Sequence, residues 1–357
     1  MRSALPAFPS VPAPDYLRIP LIDRGTHCEI EATFAGAARP YRLLVCTNSL
    51  ESWIGFKDHP YDSEKNVVVT EPGELCKFMF YGRTFVGAGY YEIMILERAT
   101  FLQSFAIPDG FGQGVVVPGG PIADFQVDGV LSLAAPDLSQ PIWRSNLSKD
   151  NILDSLLYCE AIEKLQVTIL KGKFLIFGRH PVPPKIFTVP VTKTLPYCDF
   201  WGFEASLEYD GHEIVSSTGI IDYTQPYLGL DAESFQNFLD ATRAERDKSS
   251  SRNLAMLTKP PGRGGMGLLV VKIAGHEIRC LIPRFRSNKL GLGVFEMRDT
   301  HGYPEKRRTF VLGFTYLTKL EIVLDKAART IGFSKTIGFT HRAAHSKKAV
   351  REGESGA

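Results

Sequence analysis

The sequence lacks three features that would identify a class of protein at once. No apolar run approaches the roughly 18 residues that a membrane-spanning helix needs, so we expect no membrane span. The 41 Lys and Arg residues are nearly balanced by 39 Asp and Glu residues, and a net charge of +2 argues against a nucleic-acid surface. The six cysteines have no CxxC or other short spacing, so we expect free, buried thiols, no metal site and no cofactor.

Neither end of the chain resembles the interior. Residues 1–16 contain four prolines and no continuous apolar stretch, so we interpret them as an N-terminal extension and find no secretory signal in them. Residues 336–357 are rich in Lys, Arg and His, and we predict a disordered basic tail, with a basic interaction tail as the alternative. The sequence leaves the compartment of the protein open.

Short β-branched and aromatic runs, separated by turn residues, dominate the interior of the chain. We predict strands at 28–34, 41–46, 66–70, 76–81, 90–96, 165–170, 173–177, 187–192, 203–209, 268–274, 277–282, 309–313 and 320–324. Apolar residues at helical spacing predict two helices, at 151–163 and at 232–246, the second with Asp231 as its N-cap. The sequence therefore predicts a mainly β protein.

An internal repeat organises these strands. Each half has a strand that leads into a Thr-containing loop, and each later has an apolar strand with a Leu-Ser-Leu or Leu-Gly element. The apolar strands are DGVLSLA at 128–134 and FVLGF at 310–314. This duplication predicts two similar β lobes that face each other across a cleft.

Eight sequence landmarks in a fixed order carry a family resemblance. They are Ile19-Pro20-Leu21, the run from Thr47 to Trp53, Tyr81-Gly82 with Gly87, 128–134, 172–178, Pro190-Val191, Ser217-Thr218-Gly219 with Pro226, and 310–333. In this order they resemble a pepsin-type (A1) aspartic peptidase over roughly residues 17–335. The resemblance implies a bilobal acid-protease fold with two barrel-like lobes and a few short helices. It also implies an N-terminal lobe at 17–187 and a C-terminal lobe at 188–335.

The family has two loops of the pattern Asp-Thr-Gly, and each loop supplies one catalytic aspartate. Here the first loop begins at Cys46, with Trp53 seven residues later. We place the second loop at Ser217, because Pro226 follows it at the spacing of nine residues that the family uses. On this alignment Cys46 and Ser217 replace both aspartates, so we assign no catalytic residue.

The resemblance also implies roles for the residues around these positions. Thr47 and Thr218 are expected to cross-link the two loops through hydrogen bonds to the opposing backbone. Ser49 matches the residue that hydrogen-bonds one aspartate in the family, and Gly219 matches the glycine of the second loop. The first loop's Gly is replaced by Asn48.

A second group of residues matches the family's peptide-binding cleft. Tyr81 and Gly82 match the flap hairpin that closes over a bound peptide, and Trp53 lies beside the first loop. An ordinary β-hairpin with a packed Tyr81 is the alternative interpretation.

Other catalytic arrangements find less support in the sequence. A cysteine hydrolase based on Cys46 would need a nearby His, and His212 is the candidate, but no spacing brings it to the cleft. Asp222 and Glu51 lie near the two loops, yet the alignment puts them off the aspartate positions.

Taken together, these residues predict a pepsin-like protein that is catalytically inactive, with a cleft that binds an extended peptide or a partner protein. The alternatives are an active aspartic endopeptidase that uses an unidentified carboxylate, and a drifted paralogue without function. We expect a monomer that binds neither nucleic acid nor membrane.

Overall fold

The computed structural model describes the central part of the chain with several gaps. The described residues are 16–35, 37–48, 52–55, 67–68, 76–80, 83–108, 127–134, 151–181, 185–192, 200–247, 254–257, 267–286, 290–297 and 309–334. The predictions for the N-terminal extension up to residue 15, for the tail at 336–357 and for Ser49, Tyr81 and Gly82 concern residues outside these ranges.

The first half of the chain contains twelve strands and one helix within the described ranges. They are β1 (Tyr16–Pro20), β2 (Ile22–Asp23), β3 (Cys28–Phe34), β4 (Tyr41–Cys46), β5 (Trp53–Ile54), β6 (Val67–Val68), β7 (Cys76–Phe80), β8 (Arg83–Leu96), β9 (Ala99–Pro108), β10 (Gly129–Ser132), α1 (Ile152–Tyr158), β11 (Gln166–Leu170) and β12 (Phe174–Gly178). The predicted strands at 28–34 and 41–46 match β3 and β4 residue for residue.

The second half contains thirteen strands and two helices within the described ranges. They are β13 (Ile186–Pro190), β14 (Gly202–Tyr209), β15 (His212–Asp222), β16 (Leu228–Leu230), α2 (Ala232–Thr242), β17 (Glu245–Arg246), β18 (Leu254–Leu257), β19 (Leu269–Ile273), β20 (His276–Cys280), β21 (Arg284–Arg286), β22 (Leu290–Glu296), β23 (Thr309–Gly313), α3 (Phe314–Leu317), β24 (Glu321–Asp325) and β25 (Thr330–Ser334). The predicted strand at 309–313 matches β23.

Three sheets divide these strands between the two halves. A nine-stranded sheet holds strands of the first half in the order β2-β3-β4-β10-β5-β9-β8-β6, with β7 paired to β8. A ten-stranded sheet holds strands of the second half in the order β17-β18-β22-β16-β23-β15-β14-β19-β20, with β21 paired to β22. The third sheet, β1-β12-β11-β24-β25-β13, takes strands from both halves and joins them. The prediction of a mainly β, bilobal protein is confirmed.

The two longer helices begin at residues that cap them and end earlier than the periodicity predicts. The side chain of Asn151 caps α1, and the side chain of Asp231 caps α2 as predicted. Just beyond the helices, Glu160 and Arg243 have φ angles of 58° and 55°. This left-handed conformation cannot continue a right-handed helix, so the apolar residues that follow lie outside α1 and α2.

One large buried apolar cluster runs through both halves. Trp53 from the first half and Trp201 from the second are both fully buried. The indole Nε1 of Trp201 donates a hydrogen bond of 2.6 Å to the backbone oxygen of Leu133, across the boundary between the two large sheets. The lobes are therefore held together by packing and by a directional contact. Cys28 and Cys280 are free, buried thiols as predicted, and Cys46 is buried as well, whereas the free thiol of Cys159 is only half-buried.

An ion pair between a buried carboxylate and an exposed guanidinium fixes the segment that enters β10. The carboxylate of Asp128 is fully buried and accepts hydrogen bonds from both Nη atoms of Arg39 (3.0 and 2.8 Å) and from the backbone N–H of Arg42 (2.8 Å). The hydrogen bond to Asp128 raises the pKa of Arg39 above its ordinary value. This bidentate contact aligns β10 with β4, which is the pair of strands that leads to Cys46.

A second buried carboxylate lies on β3, the other neighbour of β4. Burial alone would raise the pKa of Glu29, but hydrogen bonds from His27 and Arg24 outweigh it, so the pKa lies below the ordinary value of 4.5. His27 Nε2 lies 3.0 Å from one carboxylate oxygen of Glu29, and the guanidinium of Arg24 lies 3.1 Å from the other. Glu29 is therefore held as a paired, ionised side chain.

The lowered pKa of Glu29 predicts a pH-dependent contribution to stability. We expect Glu29→Gln to lower the free energy of unfolding by about 2 kcal/mol at neutral pH, because charged hydrogen bonds are lost. Since the folded pKa is depressed, this difference is fully present above the unfolded pKa and is lost as the pH falls through the folded value. Urea unfolding of both proteins from pH 7 to pH 3 measures it.

Glu31 provides a matched control on the same strand, because its side chain is exposed. We expect Glu31→Gln to change stability by less than about 0.5 kcal/mol at every pH. A constant difference between wild type and Glu29→Gln across the whole pH range would contradict the assignment.

Candidate functional site

The candidate site lies where two parallel strand pairs, one from each half, reach their ends. Cys46 is the last residue of β4 and pairs with Ser132 of β10. Asp222 is the last residue of β15 and pairs with Gly313 of β23. In each half the partner strand carries the Leu-Ser-Leu or Leu-Gly element of the internal repeat. Cys46 and Asp222 therefore occupy equivalent positions in the two halves.

The predicted second loop at Ser217 is wrong. Ser217 lies in the middle of β15, opposite Ala205 of β14, and the strand continues for five further residues to Asp222. β15 is paired on both sides, with β14 and with β23, and this hydrogen bonding outweighs the turn character of the small residues at 216–219. Asp222, which the sequence alignment set aside, is the residue at the strand end.

Thr218 and Gly219 also lie within β15 and not in a loop at the lobe boundary. The hydroxyl of Thr218 donates to the carboxylate of Glu204 at 3.2 Å, in an exposed contact within its own lobe. A Cβ at Gly219 would lie 2.6 Å from the ring of Phe203 and 2.7 Å from the ring of Phe310. Gly219 thus makes room for two aromatic rings and has no role in the site.

A signal for the correct position is present in the sequence. Two apolar residues, Leu44 and Val45, come directly before Cys46, and two apolar residues, Ile220 and Ile221, come directly before Asp222. This pattern reflects a buried strand end in each half. The spacing to Pro226 favoured Ser217 over this pattern, and the spacing was coincidental.

The carboxylate of Asp222 is fully buried and accepts hydrogen bonds at both of its oxygens, among them four from Thr224, Gln225 and Asn48. Its Oδ1 accepts from the backbone N–H of Thr224 at 2.8 Å, from the Thr224 hydroxyl at 2.5 Å and from the backbone N–H of Gln225 at 3.3 Å. Its Oδ2 accepts from Nδ2 of Asn48 at 2.7 Å. An ionised carboxylate, which is an acceptor only, satisfies all four donors.

Cys46, which lies in the same lobe as Asn48, contacts the same amide. Its thiol is fully buried and donates to Oδ1 of Asn48 at 2.8 Å. The amide of Asn48 therefore links the thiol of one half to the carboxylate of the other. The two equivalent positions hold one thiol and one carboxylate, so two carboxylates cannot share a proton here.

The hydroxyl of Thr47 connects the two halves directly beside this pair. It donates to the backbone oxygen of Ile221 at 3.0 Å and accepts from the backbone N–H of Tyr223 at 3.2 Å. Thr47 is fully buried, so if its hydroxyl were removed, neither backbone group would find a water molecule as a new partner. The hydroxyl of Thr47 thus binds the end of β15 on either side of Asp222.

Tyr223 occupies the position in the second half that Thr47 occupies in the first, and it makes no reciprocal contact of this kind. Its ring is buried and lies edge-on to Phe314, with the ring centroids 6.2 Å apart. Burial raises its pKa well above 10, so the phenol stays neutral. Among the described residues its hydroxyl has no hydrogen-bond partner. Where Thr47 cross-links the lobes, Tyr223 fills space between them.

Trp53, predicted to lie beside the cleft, is fully buried in the core. Its neighbour Ser52 accepts a hydrogen bond of 2.9 Å from the backbone N–H of Ser132, and Trp53 itself pairs with Val130 of β10. We therefore interpret this segment as support for the strand pair behind Cys46 and not as a wall of an open cleft.

The structure also places His212, which the sequence offered as a partner for Cys46. His212 is exposed at the start of β15, ten residues before Asp222. At about 3.3 Å per residue the strand separates them by roughly 30 Å, so His212 cannot assist Cys46.

The described ranges contain no group of three His, Cys, Asp or Glu residues suited to a metal ion. In the same ranges no helix has the length and apolar character that crossing a membrane requires.

The Thr47 contact predicts a large effect from loss of one hydroxyl. We expect Thr47→Val to lower the free energy of unfolding by about 3 kcal/mol, because two buried backbone groups lose their partner. Thr47→Ser keeps the hydroxyl and loses one methyl, so it should cost about 1 kcal/mol. Denaturant titration followed by tryptophan fluorescence compares the two variants, and equal losses would attribute the effect to packing alone.

The close packing around Gly313, which pairs with Asp222, predicts that the two halves differ in their tolerance of a substitution at this position. A Cβ there would lie 2.6 Å from the backbone oxygen of Gln225 and closer still to that of Tyr227. We expect Gly313→Ala to lower the free energy of unfolding by about 3 kcal/mol, since backbone cannot move aside as a side chain can. The equivalent Ser132→Ala loses only a hydroxyl contact and should cost about 1 kcal/mol. Thermal unfolding of both variants would contradict this if Gly313→Ala were the milder change.

Comparison with known proteins identifies the fold. No protein-family model matches the chain, and no curated protein matches its sequence. Among solved structures, the chain is similar to the crystal structure of the aspartic proteinase from Irpex lacteus, with a TM-score of 0.73 and 20% sequence identity. The match covers 91% of this chain and 99% of the proteinase. The chain has the bilobal, pepsin-like fold of aspartic proteinases.

Proposed function

We propose that this chain is a pepsin-like protein without aspartic peptidase activity, and that its cleft binds an extended peptide or an extended segment of a partner protein. The observation that carries the proposal is the pair at the two strand ends. Cys46 stands in the first half where Asp222 stands in the second, so the pair contains one carboxylate.

The chemistry of an aspartic pair explains why one carboxylate is insufficient. Two carboxyl groups share a proton, one activates a water as general base, and the other protonates the peptide carbonyl as general acid. A thiol with an ordinary pKa of about 8.5 cannot take part in this exchange in acid, where pepsin-type catalysis operates. Residues that act as a unit are strongly non-additive, so loss of one partner removes most of the rate.

The surroundings of Asp222 support the same conclusion. Three of its hydrogen bonds come from residues of its own turn, at Thr224 and Gln225, and another comes from Asn48. These donors stabilise the ionised carboxylate and occupy both of its oxygens. Asp222 thus has a structural role at the end of β15.

Binding is supported by the scaffold around the pair. The contacts of Thr47 and Trp201 across the lobe boundary favour a rigid arrangement of the two lobes. In a groove between β lobes, an extended chain gains affinity from main-chain hydrogen bonds and selectivity from alternate side chains. Such a groove works without catalytic groups.

A second candidate function is an active endopeptidase that uses Asp222 alone. It is favoured by the position of Asp222, which is buried at a strand end and faces the other lobe. It requires Cys46 or a bound water to replace the second acid. The two candidates differ in their dependence on the Asp222 carboxylate.

A cleavage assay tests the catalytic part of the proposal. The purified chain is incubated with a mixed peptide library from acid to neutral pH, with and without a pepsin-type transition-state inhibitor. We expect no inhibitor-sensitive cleavage, and the same result for Asp222→Asn. Inhibitor-sensitive cleavage by the natural chain that Asp222→Asn abolishes would overturn the proposal and favour the second candidate.

A binding assay tests the other part. The immobilised chain is incubated with the same library, and retained peptides are identified by mass spectrometry. We expect a selected set of extended peptides, with Ser217→Asp as a control, because this residue lies in mid-strand away from the pair and should not alter the selection. A folded chain that selects no peptide would contradict the binding function and favour a drifted paralogue without function.

A further inference from the structure

Asn48 makes the contact that joins the two halves of the pair. Its Oδ1 accepts from the thiol of Cys46 at 2.8 Å, and its Nδ2 donates to the carboxylate of Asp222 at 2.7 Å. One planar amide therefore bridges two groups that belong to different lobes. This is the hydrogen-bonding pattern that a water between the two groups would have, since one end accepts and the other donates.

Cys46, Asn48 and Asp222 differ in how deeply they are buried. Cys46 and Asp222 are fully buried, with 0% of each residue exposed, whereas Asn48 is half-buried. Asn48 is thus the most exposed member of the group, and its amide lies between the other two. A molecule that entered between the thiol and the carboxylate would have to displace this amide.

The two hydrogen bonds make this displacement costly. The bond to Asp222 is charge-assisted, and the bond from the Cys46 thiol to Oδ1 would also be broken. A Gly at this position, as in the loop pattern Asp-Thr-Gly, would have no side chain to provide either contact. The first loop therefore differs from that pattern by two changes with separate effects: loss of a carboxylate at Cys46 and insertion of an amide at Asn48.

We propose that Asn48 is a lock on the pair: its amide occupies the place between Cys46 and Asp222 that an attacking water or a peptide carbonyl would need. The inference rests on the proposed function, since it gives a second reason why the site is inactive. It implies that an aspartate at position 46 is not enough to restore a working pair. The Oδ1 of Asn48 would then face a carboxylate, and the two acceptors would repel each other.

The reactivity of the Cys46 thiol tests the lock without any reference to catalysis. The folded protein is treated with iodoacetamide, and alkylation of each cysteine is followed by peptide mass spectrometry. We expect Asn48→Ala to increase the rate at Cys46 by about tenfold, because the covering amide is removed and the thiol loses the acceptor that favours its protonated form.

Controls within the same protein separate uncovering from unfolding. Cys280 lies on β20 of the second lobe, and burial raises its pKa to about 12, so it should remain slow in every variant. Asn237→Ala removes an exposed amide that donates to the backbone oxygen of Ile214 on the second lobe, and it should leave Cys46 unchanged. An unchanged rate at Cys46 in Asn48→Ala, or an equal increase at Cys46 and Cys280, would overturn the proposal.

A comparison of peptidase activity distinguishes failure of the lock from failure of the proposed function. We expect Cys46→Asp alone to stay inactive and Cys46→Asp with Asn48→Gly to cleave peptides at acid pH, sensitive to the transition-state inhibitor. Equal activity in the single and double variants would overturn the lock and leave the proposed function intact. Cleavage by the natural chain would overturn the proposed function, and the alkylation rates would still decide whether Asn48 covers the thiol.

Discussion

The two hydrogen bonds of the Thr47 hydroxyl are the constraint on which the site depends. One side chain, buried from solvent, satisfies a carbonyl and an N–H on either side of Asp222 and so ties the end of β4 to the end of β15. Because buried backbone groups must find partners, this contact fixes the two strand ends relative to each other. The position of Cys46, one residue before Thr47, follows from it.

The chemistry of the pair follows from this geometry together with three side chains. A thiol, an amide and a carboxylate form a chain of hydrogen bonds from Cys46 through Asn48 to Asp222. The thiol donates to the amide oxygen, and the carboxylate accepts from the amide nitrogen. The second half adds Tyr223, which fills space where Thr47 makes a cross-link. The two halves have the same strands and different loop chemistry.

Much of the fold could be predicted from the sequence, and the reasons are local. Strands β3, β4 and β23 match their predicted bounds because β-branched and aromatic runs are bounded there by turn residues. Asp231 was predictable as an N-cap because its side chain can reach an N–H of the first turn. The end of α2 was not predictable from periodicity, since a single left-handed residue, Arg243, stops the helix while apolar spacing continues.

The sequence by itself determined the duplicated β architecture, the thiol of Cys46 at the end of an apolar strand, and the presence of Thr47 beside it. Only the tertiary structure decided which residue of the second half faces Cys46. Residues 216–219 have the composition of a turn, but pairing with β14, and with β23 from Thr218 onward, makes them the interior of β15. The pairing with β23 joins residues that are distant in sequence, so the composition of residues 216–219 does not reveal it. The bridge from Asn48 to Asp222 spans 174 positions of the chain, and it exists only because the two lobes pack together.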